Sequence, residues 1–219
     1  MNTSPGFYPY STPAPYADAI HCDTNVSLQK MERSHVREIT TLWGERIGTP
    51  ADARNPWIEH ALDRTRPTEI FVAITNDEVI GFGVATIGGP EWVTDYINRP
   101  DGTITCWPNT GVLHAVAVDH AYQSQGVGTA LFAIQLEYLT AVGADGVLGV
   151  SWHRDEHYDS RGLFNKFDFT VDETFPEFYA ITSGETYCVD CTGECMCGST
   201  VFIRDLPVTR DEIQSTIYP

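Results

Sequence analysis

Residues 111–152 constrain the fold of this chain more than any other stretch. Residues 111–118 (GVLHAVAV) are mostly apolar, as a strand buried on both faces must be. Residues 128–141 follow as a helix with Leu131, Ile134, Tyr138 and Leu139 giving an apolar stripe, and residues 146–152 (GVLGVSW) form a second apolar run. Strand, glycine-bearing turn, helix and strand make a β-α-β unit with parallel neighbours, because a helix packing back onto the sheet returns the chain in the same direction. Between strand and helix lies Gln123-Ser124-Gln125-Gly126-Val127-Gly128-Thr129-Ala130. Glycines there let the backbone turn tightly, and successive N–H groups at a helix start form an anion cradle reinforced by the helix dipole. A diphosphate is the natural guest. The run lacks the Gly-Lys-Ser/Thr of a Walker loop and the third glycine and downstream acid of a dinucleotide fingerprint.

Upstream, residues 25–29 alternate polar and apolar as a short strand, and residues 32–47 place Val36, Ile39, Leu42 and Trp43 near helical spacing. A second helix is expected over 51–64, with Trp57, Ile58, Ala61 and Leu62 on one face. Residues 69–75 and 79–87 are strand-like runs around Asn76-Asp77-Glu78, the pattern of a β-hairpin. Residues 88–110, rich in Gly and Pro, are expected to be a long loop on a substrate rim. After residue 160 the pattern predicts a short helix, then strands at 175–182 and 200–205. Residues 1–24 mix Pro, Ser, Thr, Gly and Tyr without a period and are expected to be a flexible arm. The main domain then spans 25–206, with a short C-terminal tail at 207–219.

In this context the run Val116-Ala117-Val118-Asp119-His120-Ala121-Tyr122-Gln123-Ser124-Gln125-Gly126-Val127-Gly128 resembles the signature of the GNAT acyltransferase superfamily: an apolar strand, then Gln/Arg-x-x-Gly-x-Gly/Ala opening a helix. The element order upstream and downstream agrees over roughly residues 25–206. The resemblance implies an α/β GNAT fold, a mixed twisted sheet flanked by helices. It also implies acetyl-CoA as co-substrate, with the amides of Gln125 through Thr129 on its pyrophosphate. Val116, Ala117 and Val118 then lie along the thioester and pantetheine arm, and Gln123 and Ser124 complete the loop.

The reaction so implied is attack of a neutral primary amine on the thioester within a ternary complex. It needs an acceptor for the ammonium proton, a donor to the oxyanion and an acid for the leaving thiolate. Many family members carry the acid on a Tyr in a segment like Leu-Tyr-x-Lys-x-Gly-Phe. Here that segment is Leu163-Phe164-Asn165-Lys166-Phe167-Asp168-Phe169, and Phe164 has no hydroxyl. Tyr158 is the substitute candidate. For the base, His114 lies on the central strand, on the face opposite Leu113 and Ala115 by simple alternation, and an unperturbed imidazole titrates in the useful range. Glu91 is a second candidate. Arg154 is a candidate for a CoA phosphate. The rival reading is a non-catalytic acyl-CoA-binding or interaction module, which the missing tyrosine favours.

Thirty Asp and Glu against thirteen Lys and Arg give a net charge of −17, which repels phosphate backbones and anionic lipid alike. Neither nucleic acid nor a membrane is an expected partner, and a small-molecule or peptide amine is, with a homodimer as the candidate assembly. The charge by itself favours cationic acceptors such as polyamines. Eleven of the cations are Arg and only Lys30 and Lys166 are Lys, a composition that resembles a haloarchaeal cytoplasmic protein. No apolar stretch of membrane-spanning length or basic-then-apolar leader pattern occurs, so a cytoplasmic location is expected.

Cys188-x2-Cys191-x3-Cys195-x-Cys197 packs four of the six cysteines into a single turn-like segment. Four thiolates close a tetrahedral Zn²⁺ site, which is structural because no position stays open to water. Two small disulfides and a redox-active cluster are the alternatives. As an insertion between the last two strands, this knuckle is not a standard GNAT feature.

Overall fold

Thr68–Thr75 and Glu78–Gly88 are buried along nearly their whole length, because helices cover the sheet on both faces. The computed structural model describes residues 25–48, 55–64, 67–97, 103–154, 160–179, 189–191 and 195–218. The expected N-terminal arm lies outside them. Strands β1 (Ser27–Lys30), β2 (Thr68–Thr75), β3 (Glu78–Gly88), β4 (Thr110–Val118), β5 (Gly146–Trp152), β6 (Thr170–Phe175) and β7 (Ser199–Asp205) form one sheet. Their order is β1-β2-β3-β4-β5-β7-β6, with β4 and β5 the parallel pair and every other pairing antiparallel. This is the mixed, helix-flanked α/β sheet the sequence predicts.

Alternation along β2 sorts the core. Ile70 and Val72 pack with Ile39, Leu42 and Trp43 of α1 (Val36–Arg46) and Ile58 of α2 (Pro56–Asp63). Phe71 and Ala73 face the other way, toward α4 (Val127–Ala141). The helix α2 opens where Pro56 takes the first helical position and the Asn55 side chain accepts the Trp57 N–H at 3.0 Å. Residues 51–54, the expected start of that helix, lie outside the described residues.

Three expectations change. Residues 88–110 are not all loop, since α3 (Pro90–Ile97) lies within them and buries Val93 and Ile97 against Val112, Leu148 and Val201. The strand expected at 175–182 instead ends at Phe175 and begins at Thr170, on the sheet edge. The helix α4 is buried on most of its circumference rather than along one stripe, because α6 (Arg210–Ile217) adds Ile213 and Ile217 to the same cluster. A capping box between Thr209 and Glu212 starts α6. Among the described residues no helix is long and apolar enough to cross a membrane.

Candidate active site

The site begins where two strands part. β4 and β5 pair in parallel only from Thr110↔Gly146 to Leu113↔Gly149, yet β4 continues to Val118 and β5 to Trp152, the latter held by β7 alone. The gap opens a cleft of about 450 Å³ lined by the backbone and side chains of Leu113 through Val118, with Val150 and Trp152 opposite. At its mouth β4 bulges. Val84 pairs with Ala115 and Ala85 with Leu113, so His114 is an extra residue with no partner on β3. The bulge breaks simple alternation: Leu113 belongs to the α4 cluster, while Ala115 packs on the α1–α2 side, where His114 also turns.

The glycine-bearing loop is held by its own side chains. The Asp119 carboxylate accepts from the Ala121 N–H at 2.8 Å. Gln123 donates to the Val118 carbonyl at 3.3 Å, and Gln125 to the Ala121 carbonyl at 2.8 Å. Ser124 and Gly126 take positive φ values of 59° and 87°, and the second of these is why glycine stands immediately before α4. The N–H groups of Val127, Gly128 and Thr129 then lie in the first helical turn, where no intrahelical carbonyl reaches them. A Cβ on Gly128 would meet only Val118 and Leu163, at 3.7 and 3.9 Å, so the protein's own packing does not demand glycine there.

At the other end the cleft is aromatic. The His114 ring lies 3.9 Å from the Trp57 ring, centroid to centroid, and 5.7 Å from Trp43. Its Nδ1 is 2.6 Å from the Tyr96 hydroxyl. Enclosure by these rings disfavours the imidazolium and pulls His114 down to about 3, although the ring keeps a half-buried face on the cleft. The same burial, with Tyr179 adding to it, pushes Tyr96 far up. The expectation of an ordinarily titrating His114 is thus corrected: the residue lines the cleft but stays neutral across the physiological range. Tyr96, Trp152 and Tyr179 were not singled out by the sequence, and Trp57 was read only as part of the apolar face of α2. Pro90 followed by Val93, Tyr96 and Ile97 at helical spacing is the signal that would have found α3 and with it Tyr96.

The sequence profile of the acetyltransferase (GNAT) family matches residues 33–169, more than half of the chain. The chain belongs to the GNAT family. Solved structures agree in fold. The chain is similar to a Bacillus subtilis acetyltransferase in complex with CoA, at 16% identity and TM-score 0.56, covering 83% of this chain and 99% of that one. It is similar to the Escherichia coli ribosomal-protein-S18-alanine N-acetyltransferase, at 13% identity and TM-score 0.57, covering 84% and 96%. It is similar to a mosquito arylalkylamine N-acetyltransferase-like protein, at 15% identity and TM-score 0.58, covering 83% and 100%. No curated protein matches in sequence.

Against the GNAT pattern, Phe164 of α5 (Arg161–Lys166) is a core residue as well as a wall of the cleft. It stacks on Phe202 at 4.7 Å and sits over Gly149, where a Cβ would come within 2.5 Å of its ring. Val116, Ala117, Val118 and Gln123 line the cleft, and Ser124, Gln125 and Gly126 form the turn beside it. Glu91 stands exposed on the first turn of α3 and is not among the lining residues. Tyr158 lies outside the described residues.

The cysteine-rich insertion of this GNAT chain brings three sulfurs together. Those of Cys191, Cys195 and Cys197 lie within 4.8 Å of one another, with Cys191 and Cys197 at 3.6 Å. Cys188 lies outside the described residues. The 3.6 Å separation is far beyond a disulfide bond of about 2 Å. A tetrahedron with metal–sulfur bonds of about 2.3 Å has edges of about 3.8 Å, which it does fit. The segment is tied to the cleft by Arg154. Its Nε and Nη2 donate to both oxygens of Asp190 at 2.5 and 2.7 Å, and its Nη1 to the Arg46 carbonyl at 2.9 Å. Arg154, a sequence candidate for a CoA phosphate, is thus held in an internal pair with Asp190.

Proposed function

We propose that the chain transfers the acetyl group of acetyl-CoA to a primary amine by direct attack in a ternary complex. The observation that carries this reading is the parting of β4 from β5 beyond Leu113 and Gly149, which opens a cleft running from an aromatic pocket along β4 to Val118 and Gln123, beside the glycine turn that starts α4. In this reading the pyrophosphate lies on the N–H groups from Gln125 to Thr129, reinforced by the α4 dipole. Gly128 leaves the anion its approach. Backbone groups of Val116 and Val118 on the open edge of β4 guide the pantetheine arm, and the bulge at His114 marks the thioester end.

The amine attacks the thioester carbonyl, the C–S bond breaks, and one proton passes from nitrogen as CoA thiol leaves. His114, lowered by burial, is a weak base for that proton. The apolar walls instead favour the uncharged amine, so most of the rate comes from holding the two reactants together. Tyr158 remains the candidate acid in place of the hydroxyl that Phe164 lacks, with Glu91 the more remote candidate base.

The reading includes a closed structural zinc site on Cys188, Cys191, Cys195 and Cys197, supported by the sulfur spacing. It includes a high-salt cytoplasmic setting, supported by the charge of −17 and the two lysines. In molar salt the screening length falls to about 3 Å and the carboxylates cease to repel at distance.

Calorimetric titration of acetyl-CoA in molar KCl tests the core of the reading, with Gly126→Glu as control. That variant sets a side chain at φ 87° and a carboxylate in the anion cradle. Saturable binding lost in the folded variant, with CoA thiol released on adding an amine, is the expected outcome. Binding without turnover on any amine favours the non-catalytic module, and no binding by folded wild type overturns the reading.

A further inference from the structure

Among the described residues, the charge lining the cleft is opposite to the net charge of the chain. Although the chain carries thirty Asp and Glu, none is among the described residues lining the cleft, whose charged groups are Arg46 and Arg154. Arg154 is neutralised by Asp190 and lies over the Trp152 ring at 4.5 Å. Among the described residues no carboxylate pairs with Arg46. The walls at this end are flat rings: Trp43, Trp57 and Tyr96 from the helices, Trp152 from β5, and Phe178 and Tyr179 from the segment after β6. His114 between them is neutral.

From this geometry we infer that the acceptor is an aromatic α-amino acid, its ring held between these walls and its carboxylate on Arg46. The inference rests on the acetyltransferase reading and names the substrate class of that site. Three physical points carry it. Aromatic walls reward a planar apolar ring by burial and by offset or edge contacts. A guanidinium recognises a carboxylate by two parallel hydrogen bonds, and among the described lining residues no acid competes for Arg46. A second ammonium, as in a polyamine, would make a like-charge approach to Arg46 and meet no acid among the described lining residues. The net charge of the molecule favours polycations at long range, but the described lining disfavours them at contact, and molar salt removes the long-range part.

The test is a panel at saturating acetyl-CoA, read as CoA thiol release and confirmed by the mass of the product. Its members are L-tryptophan and L-phenylalanine, tryptamine without the carboxylate, L-leucine without the ring, and spermidine. The aromatic amino acids should lead in kcat/KM, and losing either ring or carboxylate should cost on the order of tenfold or more. Arg46→Ala should bring the tryptophan-to-tryptamine ratio toward one, mostly through KM. Spermidine as the best acceptor, or a ratio unmoved by Arg46→Ala, overturns the inference while leaving the acetyltransferase reading intact. If no amine turns over, quenching of intrinsic tryptophan fluorescence by N-acetyl-L-phenylalanine in the presence of CoA decides it. Saturable quenching weakened in Arg46→Ala supports the inference, and no quenching overturns it. The separate acetyl-CoA titration reports on the reading beneath.

Discussion

The Tyr96 hydroxyl and His114 Nδ1 are 2.6 Å apart, and this bond joins α3 to the bulge of β4. Both groups are neutral at physiological pH, because burial lowers the imidazole and raises the phenol. A neutral pair can share one proton in a short bond without a charge that the rings around it could not solvate.

This pair predicts a pH dependence of stability. His114 has a folded value of about 3 against about 6.5 unfolded, so between those values the unfolded chain binds the extra proton. Its contribution is fully present above about pH 6.5 and is lost as pH falls toward 3. Thermal unfolding from pH 7.5 to 4 should therefore drop less steeply in His114→Gln than in wild type. Parallel curves would mean that the ring titrates normally.

Arg154 and Asp190 should be energetically coupled. Their side chains are 10% and 20% exposed and share two charge-assisted hydrogen bonds, which places them above the ordinary surface pair. A double-mutant cycle with Arg154→Ala and Asp190→Ala, read by denaturant unfolding, should give a coupling of about 1–3 kcal/mol. A value near zero would make the pair incidental.

Metal analysis of the purified chain should find one zinc per molecule, absent from Cys191→Ser/Cys197→Ser. Chelation should lower the unfolding temperature of wild type and leave that double variant unmoved. Full alkylation of four knuckle thiols without metal, or a mass two or four hydrogens light, would point to one of the alternatives instead.

Gly149→Ala should destabilise by about 1–3 kcal/mol, because its Cβ would come within 2.5 Å of the Phe164 ring, which is stacked on Phe202 and has little room to yield. Acetyl-CoA binding should weaken along with stability, since Phe164 also walls the cleft. Denaturant unfolding and the acetyl-CoA titration on the same preparation check both.

The β-α-β unit, the hairpin and the glycine turn were legible from residue order because each is decided locally. Positive φ at Gly126, the apolar run of α4 and the polar turn at Asn76-Asp77 act within a few residues of themselves. The cysteine spacing was legible for the same reason.

What lay beyond the sequence depends on partners distant along the chain. Alternation puts His114 on one face, but the register of β3 against β4 inserts it as a bulge and turns it toward Trp57. β6 reads poorly as a strand because Thr170–Phe175 is a polar edge, and only pairing with β7 makes it one. Tyr96 was hidden in a Gly- and Pro-rich stretch whose helix is stabilised by packing on Val112 and Leu148. The acidic composition speaks for the whole surface, whereas the aromatic cleft, whose described lining holds two arginines and no acid, follows from which side chains the parting of β4 and β5 leaves facing one another. Composition sums charge over the chain, and only tertiary structure distributes it, because electrostatic energy depends on distance and burial rather than on count.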